Sequence, residues 1–75
     1  MHEQTTIALI IYVSSLIHQE GFDAVHVGNL LPGCRQLGVA KDWTQFPKFD
    51  ASTMESIERA RMTYDQPSGW FRRSK

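Results

Sequence analysis

The chain has 75 residues, 41% of them hydrophobic and 11% aromatic, and its eight basic and eight acidic side chains cancel to a net charge of zero. That length holds one domain near the lower limit for folding unaided, burying roughly 60% of the surface its unfolded chain exposes. The composition excludes a disordered chain, and the neutral balance argues against gripping nucleic acid by bulk charge, which usually needs a basic face.

Thr5 or Thr6 can cap a first helix that runs to about Gln19, where Gly21 ends it. Ile7, Ile10, Ile11 and Ile17 are read as one apolar side of this helix, with Leu9, Val13 and Leu16 on another. A helix apolar on two sides is either central to the core or half covered by a second chain. The β-branched density also permits a strand over residues 7–13, but the pattern continues through Ser14-Ser15-Leu16-Ile17 without a turn signal, which favours helix.

The link from Gly21 to Val27 is ambiguous. Val25 and Val27 alternate as in a short strand; alternatively Asp23 caps a helix whose stripe is Val27, Leu30 and Leu31. Pro32 fits the first turn of a helix but not its interior. Leu30-Leu31 is therefore expected to close one element, and Gly33–Leu37 to form a short helical turn closed by Gly38. Asp42 then caps a helix carrying Trp43 and Phe46, which Pro47 and Asp50-Ala51-Ser52 end. The last helix has the strongest signal. Ser52-Thr53-Met54-Glu55 fits a capping box, Met54, Ile57 and Tyr64 give an inward stripe, Glu55 and Arg59 stand at helical neighbour spacing, and Pro67 stops it.

These elements predict a mainly α fold, a small three- to four-helix bundle of helix-turn-helix type with room for a minor β element. Residues 1–65 are expected to form the domain and 66–75, rich in Ser, Gly and Arg, a C-terminal tail or linker. Leu30, Leu37, Trp43, Phe46 and Ile57 are the expected core around the first helix.

The order of helix, Gly-bounded link, Gly28-Asn29-Leu30-Leu31-Pro32-Gly33-Cys34-Arg35-Gln36-Leu37-Gly38-Val39 and then an aromatic-rich helix resembles the LOTUS, or OST-HTH, domain of germline proteins. Leu31-Pro32, Leu37-Gly38 and Trp43/Phe46 fill the slots of that family's pattern over residues 7–49. Val39 stands where the family commonly has an aromatic, and Ser52–Tyr64 reads as helix where a hairpin wing would stand. The resemblance implies a winged helix-turn-helix module that binds RNA or a DEAD-box helicase in ribonucleoprotein granules.

No catalytic motif is present: there is no nucleophile–base pair, phosphate loop, metal set or paired acid site, so neither an enzyme nor a cofactor is expected. One cysteine, Cys34, cannot form an internal disulfide and points to the cytoplasm or nucleus. With His2, His18 and His26 it lacks the paired spacing of a zinc site, and His18 and His26 read as surface or helix-end residues. The apolar run at residues 7–13 is too short to span a bilayer. Charge is uneven: residues 1–40 sum to −2 and residues 41–75 to +2. The expected function is a small non-catalytic domain for protein–protein interaction or dimerisation within a larger RNA-associated protein. Ile7, Ile10, Ile11 and Ile17 are the expected partner face. The alternative is direct RNA or DNA binding, with Arg35, Lys41, Lys48, Arg72 and Arg73 as the contacting residues. No membrane or small-molecule partner is expected.

Overall fold

A computed structural model of the chain describes residues 2–74. Helix α1 spans His2–Ser14 and continues as one wider π-helical stretch over Ser15–Gln19. It therefore starts before Thr5 and Thr6, and neither caps it. Glu20 closes it by donating its N–H to the Ser15 carbonyl, and Gly21 turns the chain away at φ +82°. Strand β1 follows at Ala24–His26, so the alternating reading of this link is the one the structure takes.

Helix α2 runs Leu31–Leu37 with Pro32 inside its first turn, where the missing N–H has no partner to lose. Leu31 thus opens an element instead of closing one. Gly38 ends α2 in the left-handed conformation, φ +74°. Asp42 caps only a three-residue turn, Trp43–Gln45. Helix α3 spans Ala51–Arg59, and its cap is Asp50, whose Oδ1 accepts the Thr53 N–H at 2.9 Å. The capping-box expectation for Ser52 and Glu55 is thereby corrected by two residues; Glu55 instead pairs with Arg59 one turn on.

The largest departure lies after Arg59. Arg61 takes φ +62°, which breaks the helix, and Met62–Asp65 and Trp70–Arg73 form strands β2 and β3. The three strands make one antiparallel sheet in the order β1-β3-β2. Pro67 is a turn residue of the hairpin, which Gly69 closes at φ +81° by donating its N–H to the Asp65 carbonyl. The expected tail therefore supplies the central strand, and Lys75 lies outside the described residues.

The core gathers on one side of the sheet. Leu9, Val13 and Ile17 of α1 and its π extension, Leu30, Cys34, Ile57, Met62 and Phe71 are fully buried. Phe49, Tyr64 and Phe71 add an aromatic cluster, with Phe49 stacked on Tyr64 at 4.3 Å. Of the expected core, Leu30 and Ile57 are buried and Phe46 half-buried, whereas Leu37 and Trp43 are exposed. The reason at Trp43 is the three-residue period of its turn, which eclipses positions i and i+3. Trp43 lies over Phe46, ring centroids 4.7 Å apart, and takes the outer place.

Two aspartates stabilise turns by accepting hydrogen bonds, and both carboxyls are held below the ordinary value. For Asp42 the main cause is the Thr44 hydroxyl, for Asp50 the Thr53 N–H. A depressed folded-state value adds stability that is fully present above the unfolded value and is lost as pH falls through the folded one. Thermal stability is therefore expected to hold from neutrality down to about pH 4 and to fall below it. Asp50→Asn should reduce that acid-limb slope, measured by melting temperature against pH.

A candidate binding groove beside strand β1

Strand alternation sorts the side chains of the sheet. Opposite partners point to one face, so Val25, Phe71, Tyr64 and Met62 face the core. Ala24, His26, Trp70, Arg72, Thr63 and Asp65 share the other, outer face. Along the outside of β1 runs an open groove of about 330 Å³. Val25 and Leu30 line it together with Ala24, His26 and Trp70, residues of both faces, so it lies along the β1 edge of the sheet. Tyr12 and Leu16 of the first helix, Phe22 and Asn29 complete its lining.

Among the described residues, none that lines it is an acid, lysine or arginine. Phe22 is 51% exposed and Trp70 37%. Their rings are offered to solvent in a chain too small to waste aromatic area, which is the kind of surface that marks partner sites.

His26 fixes the groove's inner corner. Its Nδ1 accepts the Gly28 N–H at 3.0 Å, so the ring proton sits on Nε2, which donates to the Ser68 carbonyl at 2.9 Å. The ring also meets Trp70 edge-on at 4.9 Å. One neutral histidine thus ties β1 to the hairpin turn and holds Trp70 in place. His18 has a comparable structural task, donating from Nε2 to the Ala60 carbonyl at the end of α3, 3.0 Å away. The Tyr12 ring reaches α2 so closely that a Cβ on Gly33 would overlap its hydroxyl.

The expected partner face on α1 is split by the structure. Ile10 and Ile17 are buried with Leu9 and Val13, while Ile7 and Ile11 are 55% and 64% exposed. At about 100° per residue, Leu9, Ile10, Val13 and Ile17 fall in one arc, and Ile7 and Ile11 lie outside it. The sequence-based grouping mixed two arcs.

The five basic candidates also separate. Arg72 and Arg73 leave β3 on opposite faces: Arg72 lies over the Trp70 ring at 5.7 Å, whereas Arg73 donates to the Ile17 carbonyl at 2.8 Å and braces the fold. Arg35 is on α2 beside a shallow depression with Pro32 and Gln36. Lys41 precedes the Trp43 turn, and Lys48 borders a small cleft with Thr6, Thr44 and Asp50 ahead of α3. The exposed face of α3 itself carries Glu55, Glu58 and Arg59, one of the acids already paired.

Burial pushes the Cys34 thiol above its ordinary value, away from the reactive thiolate. Among the described residues no three His, Cys, Asp or Glu side chains converge to hold a metal ion, and no helix is long and apolar enough to cross a membrane. Phe22 and Trp70, the exposed aromatics of this groove, are not among the expected partner residues. Their signal was available: each is a large aromatic next to a turn glycine, Gly21 and Gly69. No protein-family model matches the chain, and no curated protein or solved structure matches it.

Proposed function

We propose that the chain is a non-catalytic protein-interaction domain that receives its partner in the groove beside β1. The observation that carries this reading is the uncharged lining between two solvent-facing aromatics, Phe22 and Trp70. Interfaces concentrate their energy in such residues, with charge depleted at the centre. The test uses peptides selected against the chain from a displayed random dodecamer library. Phe22→Ala and Trp70→Ala are each expected to weaken the selected peptide by roughly tenfold or more, with melting temperatures little changed, and salt should have a shallow effect. Binding that both variants leave intact would place the partner elsewhere, for which Ile7 and Ile11 are the next exposed apolar pair.

A second reading has its own support. Helix, strand, two helices and a β-hairpin is the element order of a winged helix-turn-helix domain, the fold that the LOTUS resemblance implies. In such a domain α3 would be the recognition helix and β2–β3 the wing. Arg72 stacked with Trp70 on the hairpin is a reasonable contact for a base or phosphate. Against it stand the acidic exposed side chains of α3, which would face a polyanion. Affinity for RNA or DNA oligonucleotides that falls steeply with salt is the result that would favour this reading.

A further inference from the structure

We propose that the groove takes its partner as an added β-strand: an extended peptide segment of another protein pairs with the free edge of β1. The inference rests on the protein-interaction reading and names how the partner is held.

The register supplies the argument. Val27 donates its N–H to the Gly69 carbonyl at 2.8 Å, so Val27 and Gly69 are a hydrogen-bonded pair of the β1–β3 ladder. Such pairs alternate along an antiparallel ladder. Val25 therefore bonds to Phe71, whereas Ala24 and His26 stand opposite Arg72 and Trp70 in non-bonded pairs. The N–H and C=O groups of Ala24 and His26 consequently point away from β3. β1 has β3 on one side only, so these groups lie along the open edge, and Ala24 and His26 both line the groove.

A row of alternating donors and acceptors is matched best by another strand's backbone, because only an extended chain repeats them at the same spacing. The side chains on either hand fit the same occupant. Alternate residues of an added strand would point to opposite faces. One set would meet Tyr12 and Leu16 on the core side, and the other Trp70 on the outer face. At about 330 Å³ the groove sits at the small end of the range for ligand clefts, roughly 300–1,000 Å³, suited to a few residues of one strand. The free edge of β2 is bracketed by charged Arg61 and Asp65, the protection that natural sheet edges often carry; β1 has a charge at one end only, preceded by Asp23 and followed by apolar Val27.

Charge sets the partner's chemistry. The described lining carries no acid, lysine or arginine, and exposed Glu20 and Asp23 stand in the chain on either side of Phe22, which lines the groove. The occupant is thus an extended segment with apolar residues at alternate positions and a lysine or arginine beside Phe22.

The probe is the peptide selected from the dodecamer library, applied to the full chain. Ala24→Pro removes one outward N–H and no bond to β3, at the first residue of a strand, where proline is tolerated. It is expected to weaken binding by up to about tenfold while the melting temperature stays put, the loss that one backbone hydrogen bond produces. Peptides N-methylated at alternate residues give a check that leaves the protein untouched. Methylation in one parity should abolish binding and in the other leave it within about threefold, because only one parity of N–H groups faces β1. Amide exchange at Ala24 and His26 should be fast in the free chain and slow in the complex. Equal affinity for both methylated parities, or both lost together as for a helical ligand, would overturn strand addition. If Phe22→Ala still weakened that peptide, the protein-interaction reading would survive the failure. A library that yields no peptide sensitive to Phe22→Ala or Trp70→Ala would sink both.

Discussion

A chain ending at Asp65 is expected not to fold. The removed segment contains β3, the middle strand of the sheet, and without it β1 and β2 have no partner to pair with. It also removes Phe71, one of the largest fully buried side chains, which packs on Phe49 and Tyr64. Arg73 goes too, and with it the bond to the Ile17 carbonyl at the end of the first helix. The point variant Phe71→Ala isolates the packing share. Truncating a buried phenylalanine costs about 3–5 kcal/mol, which is comparable with the whole stability of a small domain, about 5 kcal/mol at the low end. Circular dichroism and amide dispersion in nuclear magnetic resonance should show the truncated chain unfolded and Phe71→Ala melting far lower or not cooperatively at all. A truncated chain that melts like the full one would contradict the central place of β3.

Gly33→Val is expected to act on stability and on binding together. The first atom of any side chain at this position would fall on the Tyr12 hydroxyl and close to its ring. Either α2 moves off α1 or the tyrosine swings out. Overpacking of this kind costs about 1–3 kcal/mol and at times more. Because Tyr12 also walls the groove, the selected peptide should bind weakly to whatever remains folded. The double variant Gly33→Val with Tyr12→Ala should recover much of the lost melting temperature but little of the binding. An unchanged melting temperature together with unchanged peptide binding in Gly33→Val would show that Tyr12 does not lie against α2 as described.

Several local features of the fold were legible from residue pattern. The α1 stop at Gly21, the strand alternative around Val25, the αL closure of α2 at Gly38 and the Glu55–Arg59 pair each have a local physical cause, and local causes are visible in sequence. What was misread depends on longer range. Residues 62–65 read as a continuing helix because Tyr64 falls on the stripe of Ile57; Arg61 at positive φ, a conformation that nothing in its residue type announces, ends the helix and starts a strand. The hairpin had a signal. Met62–Asp65 and Trp70–Arg73 flank Gln66-Pro67-Ser68-Gly69, and a proline and glycine between two short β-prone runs mark a turn as readily as a helix stop.

The site was less legible than the fold for a related reason. Isoleucines at positions 7, 10, 11 and 17 were the evident apolar set, but which of them faces the core follows from the helix's rotation on its neighbours. Phe22 and Trp70 lie far apart in sequence and meet at one groove only because β3 returns beside β1. Arg72 and Arg73 look like a pair in the sequence, and the two-residue period of the strand separates them.

The most direct measurement is an amide shift map of the labelled chain, titrated in parallel with the selected peptide and with single-stranded RNA at low salt. The account predicts that the peptide moves Leu16, Phe22, Ala24, His26 and Trp70 most, while RNA shifts are small and vanish as salt is raised. Large shifts with RNA along α3, Arg35, Lys41 and Lys48, with the β1 groove silent toward peptide, would contradict it.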